Sequence, residues 1–351
     1  MVAAGWLGLG LVALVIGAEM LVRGASRLAL AAGVAPLAVG LTVVAYGTSA
    51  PEVAVSVKAA LSGQADIALG NVVGSNTCNV LLILGLSALA APLAVSAQIV
   101  RIDAPLVVLV SGLTVALAWD GSLGLSDGLV LLALAVAYTA MQLVMAGRER
   151  QAPAADATGE GGPSVLRSCL LVAAGLALLV AGSRWMVDGA VRLAEGWGVS
   201  QLVIGLTIVA VGTSLPELVT SVVASLRGQR DIAVGNVVGS NFFNLTAVLG
   251  AAATVGQGGV AVTDEALRFD LPVMVAVALV CLPIFFTGMT IARWEGALLV
   301  AYYGAYVAYL LLAAQRHASA AALGDALRWF VVPITAAVLG GLALAEWRRR
   351  R

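Results

Sequence analysis

The sequence contains one stretch of about 40 residues twice, and this duplication constrains the fold more than any other feature. The segment at 40–79 returns without a gap at 205–244, with about two-thirds of the paired positions identical. Each copy carries the pattern G-T-S-x-P-E followed by G-N-V-V-G-S-N-x-x-N. Because a duplicated sequence predicts a duplicated structural unit, we expect the chain to consist of two related halves.

The composition indicates a membrane protein. Hydrophobic residues make up 61% of the chain and charged residues 11%, and the mean hydropathy is +1.02. Apolar runs of the roughly 20 residues that a helix needs to cross hydrocarbon recur along the whole length. The formal net charge is zero, so the chain has no electrostatic signature of a nucleic-acid partner, and its expected environment is the lipid bilayer.

We predict ten membrane-spanning segments, five in each half. The spans of the first half lie at about residues 2–30, 35–61, 67–91, 104–119 and 128–146, and those of the second half at about 165–194, 201–226, 232–255, 271–290 and 294–314. The first repeat then covers residues 1–146 and the second covers 165–314, with a polar cytoplasmic linker at 147–164. One additional apolar run, at 329–347, predicts a further C-terminal span.

The positive residues predict the orientation. With the N-terminus outside, most loop arginines and the terminal group Arg348–Arg351 lie on the cytoplasmic side, as the positive-inside rule requires. Five spans per half is an odd number, so equivalent segments cross the membrane in opposite directions. We therefore predict an all-α polytopic protein of the inner (cytoplasmic) membrane. Its two inverted-topology five-helix repeats have helices broken at the midplane, and one extra helix follows at the C-terminus.

The most informative residues of the repeat are Glu52 and Glu217, which occupy equivalent positions within apolar spans. A carboxylate near the centre of a span costs about 2.5–3.5 kcal/mol on insertion scales. No basic residue recurs beside this pair, so an ion pair does not explain it. A bound cation would compensate for the cost, and the prolines that precede the glutamates are expected to release carbonyls near Ala45 and Ala210.

Helical spacing brings further oxygen atoms together. Thr48, Glu52 and Ser56 are four residues apart and form one stripe, and Asn71, Ser75 and Asn79 form another. The second half repeats both stripes. Carboxylate, amide, hydroxyl and carbonyl oxygens suit hard cations such as Ca²⁺ and Na⁺ and do not suit zinc or copper. Two glutamates balance one Ca²⁺ or two Na⁺, so the ions should compete, and competition combined with alternating access predicts an antiporter.

The two motif copies resemble those of the calcium:cation antiporter superfamily, particularly its sodium/calcium exchangers. The resemblance implies exchange of Na⁺ for Ca²⁺ at a central acidic site, with no cofactor besides the transported ions. Carried over by motif position, it implies a ligand set made of Ala45, Thr48, Ser49, Glu52, Ser75, Asn79, Ala210, Thr213, Ser214, Glu217, Ser240 and Asn244. Some exchangers have an aspartate at one of the positions that Asn79 and Asn244 occupy here.

Three alternatives stay open at this point. The first is an antiporter that is coupled to H⁺, or that depends on K⁺, in place of simple Na⁺ coupling. A cation channel lined by carboxylates and hydroxyls is a second class, and a membrane scaffold that moves no ions is a third. No phosphate-binding loop and no nucleophile–base pattern is present, so enzyme chemistry is not predicted.

Overall fold

The computed structural model of the chain describes residues 2–148, 164–199, 201–204, 207–208, 210–315, 317, 319–326 and 332–350. Their regular structure is helical apart from two short antiparallel ladders with two residues in each strand. Strand β1 (Leu93–Ala94) pairs with β4 (Thr290–Ile291), and β2 (Ser122–Leu123) pairs with β3 (Val260–Ala261). Each ladder joins a loop of one half to a loop of the other. The predicted all-α fold class is confirmed.

The first half begins with a long helix and continues with two interrupted ones. Its α-helices are α1 (Val2–Ala32), α2 (Pro36–Val39), α3 (Ala45–Thr48), α4 (Ala50–Leu61), α5 (Ala65–Cys78), α6 (Gly85–Ala90), α7 (Ala104–Leu117) and α8 (Leu125–Arg148). Wide π-helical turns at Gly40–Val44, Asn79–Leu84 and Ile99–Asp103 connect α2 to α3, connect α5 to α6 and precede α7. A short 3₁₀ turn at Ala118–Asp120 follows α7.

The second half repeats this order. Its α-helices are α9 (Val165–Gly196), α10 (Gln201–Ile204), α11 (Ala210–Gly212), α12 (Leu215–Leu226), α13 (Arg230–Phe243), α14 (Leu249–Val255), α15 (Leu271–Phe286) and α16 (Arg293–Ala314). The π-helical turns Asn244–Val248 and Ala266–Asp270 recur at the positions equivalent to those of the first half. Two more helices follow, α17 (Ser319–Ala326) and α18 (Val332–Arg350).

Among the described residues, eight helices are long and apolar enough to cross a membrane, and the bent pair Pro36–Thr48 and Ala50–Leu61 makes a ninth span. The two parts of this pair meet at 45°. The predicted span at 201–226 includes residues 205, 206 and 209, which lie outside the described residues, and α12 is its second part. Helix α18 is found where the C-terminal span is predicted. Its last turns carry charge, so its apolar part is shorter than the roughly 20 residues of a full crossing, and a crossing there stays a prediction.

The repeated motif forms the centre of the molecule. The second part of the motif lies in the spans Ile67–Ala90 and Arg230–Val255. In the apolar stretches of these spans, 78% and 89% of the residues are buried. By contrast, only 6% of the residues are buried in the apolar stretch of the span Arg293–Ala314. An apolar helix with so few buried residues is expected to face lipid, so the motif helices are shielded from the bilayer by the others.

Helices α1 and α9 cross at very short range because glycines line the contact. A Cβ atom placed on Gly17 would lie 2.9 Å from the carbonyl oxygen of Gly175, and one placed on Gly175 would lie 2.7 Å from that of Gly17. The same close approach occurs at Gly10, Gly24, Gly182 and Gly189. The contacts run in opposite directions along the two chains, so the helices are antiparallel. Small residues at such contacts are typical of helices that pack tightly in membranes.

Candidate functional site

Each glutamate of the repeat lies in the first turn of a helix that starts at a break. Ser49 ends α3 with φ −79° and ψ 7°, and Pro51 occupies the first turn of α4, where a missing N–H does no harm. Glu52 follows in the same turn and is fully buried. The carboxylate therefore lies at the positive end of the α4 dipole, which favours negative charge. The other half places Glu217 in the first turn of α12 in the same way, also fully buried.

Each carboxylate accepts a hydrogen bond from the opposite half of the chain. Ser214 Oγ donates to Glu52 Oε1 at 3.2 Å, and Ser49 Oγ donates to Glu217 Oε1 at 2.9 Å. Ser75 Oγ also donates to Glu52 Oε1, at 3.4 Å. Ser214 and Ser49 each lie three residues before the glutamate of their own half, so the two helix starts meet. The pair of glutamates is therefore brought together at one site, to which both halves contribute.

The threonines and asparagines of the motif form a second set of contacts between the halves. Thr48 Oγ1 donates to Asn236 Oδ1 at 3.1 Å, and Thr213 Oγ1 donates to Asn71 Oδ1 at 3.4 Å. Asn236 Nδ2 in turn donates to Ser221 Oγ at 2.9 Å and to the backbone oxygen of Glu217 at 3.4 Å. Asn71 makes the equivalent bonds to the hydroxyl of Ser56 and to the backbone oxygen of Glu52. These asparagines and serines hold the broken helices in place.

Four buried oxygen atoms of the site accept no hydrogen bond from any described residue. They are Glu52 Oε2, Glu217 Oε2, Asn79 Oδ1 and Asn244 Oδ1. They form two equivalent pairs, one glutamate and one asparagine from each half. A buried oxygen without a partner costs roughly 1–3 kcal/mol, and more when it carries charge. A cation bound among these atoms would remove that cost, and carboxylate and amide oxygens are ligands that Ca²⁺ accepts.

Asn79 and Asn244 each begin a π-helical turn, Asn79–Leu84 and Asn244–Val248. Such turns are frequent at functional sites because the extra residue per turn changes the direction in which the following side chains point. Both asparagines are essentially buried, with exposed fractions of 1% and 0%. The sequence analysis predicts both residues from their position in the motif, but it does not predict the π-helical turns.

The predicted backbone ligands differ from expectation. The carbonyl oxygen of Ala45 is not released by Pro51, because it accepts the N–H of Ser49 at 3.1 Å. It also accepts the hydroxyls of Thr48 at 3.3 Å and Ser240 at 3.4 Å. The carbonyl predicted to be released near Ala45 is therefore not that of Ala45, because the residue four positions before a proline is the one that loses its helical partner.

In the second half that residue is Gly212, four positions before Pro216. Its carbonyl oxygen accepts the hydroxyl of Ser183 on α9, at 2.6 Å. The equivalent predicted ligand, Ala210, begins α11, and its side chain lies outside the described residues. The carbonyl oxygen that loses its helical partner at this break thus accepts a hydrogen bond from α9.

The structure describes the side chains of the other eleven predicted residues and places them around this site. Among the described residues no group of three or more His, Cys, Asp or Glu side chains converges, so two carboxylates supply the acidity of this site. The predicted set omitted four asparagines that contact its members, namely Asn71, Asn76, Asn236 and Asn241. Their identity in both copies of the repeat was the available signal, but spacing does not separate an inner residue from a supporting one.

The chain is similar to known membrane proteins. The family model described as "Sodium/calcium exchanger protein" matches residues 2–144 and 167–312. The inner membrane protein YrbG of Escherichia coli is 40% identical over 242 residues, a match that covers 67% of this chain and 73% of YrbG. The sodium/calcium exchanger MaX1 of Methanosarcina acetivorans is 33% identical over 341 residues, covering 86% of this chain and 96% of MaX1.

A solved structure is similar over most of the fold. It is that of the sodium-calcium exchanger NCX_Mj soaked with 10 mM Na⁺ and 10 mM Sr²⁺. The TM-score is 0.76 at 31% sequence identity, and the match covers 88% of this chain and 98% of NCX_Mj. Similarity of this extent includes both halves of the chain and the site between them.

Proposed function

Because the chain belongs to the sodium/calcium exchanger protein family, we propose that it is a secondary antiporter that exchanges Na⁺ for Ca²⁺ across the cytoplasmic membrane. The chain is a multi-pass membrane protein of a family of cation exchangers. The choice of Na⁺ as the counter-ion belongs to the proposal. So does the orientation, with the N-terminus outside and the C-terminus in the cytoplasm. The proposed ligands are Ala45, Thr48, Ser49, Glu52, Ser75, Asn79, Ala210, Thr213, Ser214, Glu217, Ser240 and Asn244.

The four buried oxygens without hydrogen-bond partners carry the proposal. With both glutamates ionised the site holds a formal charge of about −2, which one Ca²⁺ or two Na⁺ would balance. Binding both kinds of ion at once would leave excess positive charge in a poorly solvated place, which is costly. Each ion should therefore displace the other. Exchange follows when the site opens to only one side of the membrane at a time.

The two halves differ in a way that supports alternating access. Helix α1 packs against α12, and Thr220 on α12 has an exposed fraction of 0%. The equivalent residue on α4 is Val55, which is 37% exposed. Helix α9, the counterpart of α1, does not pack along α4 in this way, although both helices are fully described. The face of α12 that carries Thr220 is thus more buried than the equivalent face of α4, which lies on the extracellular side in the proposed orientation.

The experiment is ion flux in proteoliposomes that contain the purified chain. We expect ⁴⁵Ca²⁺ uptake when a Na⁺ gradient is imposed with Na⁺ inside. Glu52→Gln and Glu217→Gln should each abolish it, because each removes a carboxylate that the cation needs. The matched control is Glu295→Gln. Glu295 is also a buried glutamate in the first turn of a helix, but it accepts the N–H of Ala292 at 2.7 Å and lies outside the site.

The same preparation separates the alternative functions. Uptake driven only by a pH gradient would replace Na⁺ with H⁺ as the counter-ion, and uptake that needs K⁺ together with Na⁺ would make the exchange K⁺-dependent. A channel would pass Ca²⁺ without acceleration by Na⁺ on the opposite side. Flux that is unchanged in Glu52→Gln and Glu217→Gln would contradict the proposed site altogether.

A further inference from the structure

Four asparagines form a hydrogen-bonded cluster between the two motif helices, and we call Asn76, Asn79, Asn241 and Asn244 the amide cluster. Asn244 Nδ2 donates to Asn76 Oδ1 at 3.1 Å, and Asn79 Nδ2 donates to Asn241 Oδ1 at 3.0 Å. All four side chains are buried, with exposed fractions between 0% and 3%. Both bonds join one half of the chain to the other. Asn76 and Asn241 are outside the predicted ligand set.

The direction of these bonds decides what the site offers to a cation. A carboxamide has an acceptor oxygen on one side and a donor NH₂ group on the other, and its two orientations have nearly the same shape. Asn244 gives its NH₂ group to Asn76, so its oxygen is left facing away from Asn76. That oxygen is one of the four that accept no hydrogen bond from any described residue. Asn79 is held in the same way by Asn241.

The orientation of Asn76 is itself fixed. Asn76 Nδ2 donates to the backbone oxygen of Asn241 at 3.1 Å. A backbone carbonyl can only accept, so it must face the NH₂ group of Asn76. The oxygen of Asn76 is then directed to Asn244. The backbone carbonyl of Asn241 thus fixes the orientation of the Asn76 amide, and Asn76 in turn fixes the orientation of the Asn244 amide.

We propose that Asn76 and Asn241 are positioning residues that orient the amides of Asn244 and Asn79, so that oxygen and not NH₂ faces the transported cation. The inference rests on the proposed function, since it assumes a cation at this site. Neither residue touches the ion. Each half of the chain sets the orientation of an amide of the other half, and both motif helices must stay in register for the two amide oxygens to be presented together.

The test is Ca²⁺ binding to the purified full chain in nanodiscs, by titration with ⁴⁵Ca²⁺ in the absence of Na⁺. In Asn76→Leu the NH₂ group of Asn244 has lost its acceptor, so binding a cation leaves a buried donor without a partner. We expect the apparent Kd for Ca²⁺ to rise about tenfold. The matched control is Thr77→Val, because Thr77 is on the same helix, is equally buried and gives its hydroxyl to Val73 of that helix. Its Kd should stay within about twofold of wild type.

A rescue experiment distinguishes orientation from a merely structural role. A carboxylate presents an oxygen in either orientation, so Asn76→Leu made in the Asn244→Asp background should change the Kd by no more than about twofold. An equal loss in both backgrounds, or a Kd for Asn76→Leu equal to that of Thr77→Val, overturns the inference. Asn241→Leu with Asn79→Asp repeats the test in the other half, so one unstable variant does not decide the result.

Failure of the inference and failure of the proposed function give different results in this assay. If the wild-type chain binds no Ca²⁺, or if Glu52→Gln binds as well as wild type, the proposed function is wrong. If wild type binds, Glu52→Gln does not, and Asn76→Leu behaves as the Thr77→Val control does, the cation site stands and the positioning role is wrong.

Discussion

At the scale of single residues, the chain solves the problem of buried polar groups in two different ways. The proposed cation site has fewer hydrogen-bond donors than acceptors, so four oxygens have no partner among the described residues. Elsewhere in the first half a buried carboxylate is fully bonded. Asp103 accepts Tyr138 Oη at 3.0 Å and Gln142 Nε2 at 2.6 Å on Oδ1, and Gln98 Nε2 at 3.1 Å on Oδ2. Unpartnered buried oxygens are typical of a site that binds a ligand, whereas the fully bonded carboxylate of Asp103 supports the fold.

Asp103→Asn should therefore lower stability without removing a cation ligand. The NH₂ group of the new amide must face a donor, either Gln98 Nε2 or the donors of Tyr138 and Gln142. We expect this clash of donors to lower the free energy of unfolding by about 1–3 kcal/mol. Thermal unfolding of the purified protein measures this as a lower Tm. The control is Asp264→Asn, an exposed side chain paired only with exposed Arg268. Equal Tm values for the two variants would contradict the supporting role of Asp103.

At the scale of helices, the breaks and the close contacts perform different tasks. The breaks at Ser49 and Ser214 allow a helix to start at mid-depth, with its positive end directed at the site. The glycine contacts between α1 and α9 bring the two helix backbones close together at the glycines.

Gly17→Leu should disrupt this contact. Even the Cβ atom would lie 2.9 Å from the backbone of α9, so the helices must separate or shift. We expect Na⁺-driven Ca²⁺ uptake to fall at least tenfold and the Tm to drop. Gly8→Leu is the matched control on the same helix, because a Cβ atom there has no described neighbour within 4 Å. If both variants transport equally well, close approach of α1 and α9 is not required.

At the scale of the whole molecule, an ion pair marks the difference between the two halves. Glu19 on α1 pairs with Arg227 at the end of α12, with Oε1 2.8 Å from Nη2 and Oε2 2.9 Å from Nε, and it also contacts Arg23. The positions equivalent to Glu19 and Arg227 are Arg184 and Ser62, which cannot form such a pair. The ion pair therefore joins α1 to α12 in the state in which these helices pack together and Thr220 is buried, and it has no counterpart at the equivalent positions of the other half.

Arg227→Gln should shift the equilibrium toward the opposite access state. The shift is modest, because exposed ion pairs contribute about 0–1 kcal/mol. Cysteine labelling measures it in a chain whose three native cysteines are replaced. Thr220→Cys should react up to about fivefold faster when Arg227 is also changed, and Val55→Cys should react more slowly. Arg268→Gln, which breaks an exposed pair between residues four positions apart in one helical segment, should change neither rate. Unchanged labelling in Arg227→Gln would rule out a role for this pair in the equilibrium.

The sequence by itself determined the class of fold, because a duplicated apolar sequence with an odd number of spans per half leaves little choice but an inverted repeat. It also singled out Glu52 and Glu217, since a carboxylate in hydrocarbon is too costly to recur without a function. Family resemblance then supplied the proposed ligand set. These inferences depend on composition, spacing and repetition, which are visible without coordinates.

Only the tertiary structure decided which atoms of those residues are available. Spacing did not show that the oxygens of Asn79 and Asn244 are free because Asn241 and Asn76 take their NH₂ groups, since these bonds join residues more than 160 positions apart. It also did not show that Ala45 keeps its backbone partner, or that α1 packs against α12 whereas α9 does not pack in this way against the equivalent helix α4. Hydrogen bonds between the halves depend on how the halves pack. Two related sequences can pack asymmetrically when one half closes its side of the site while the other half leaves its side open.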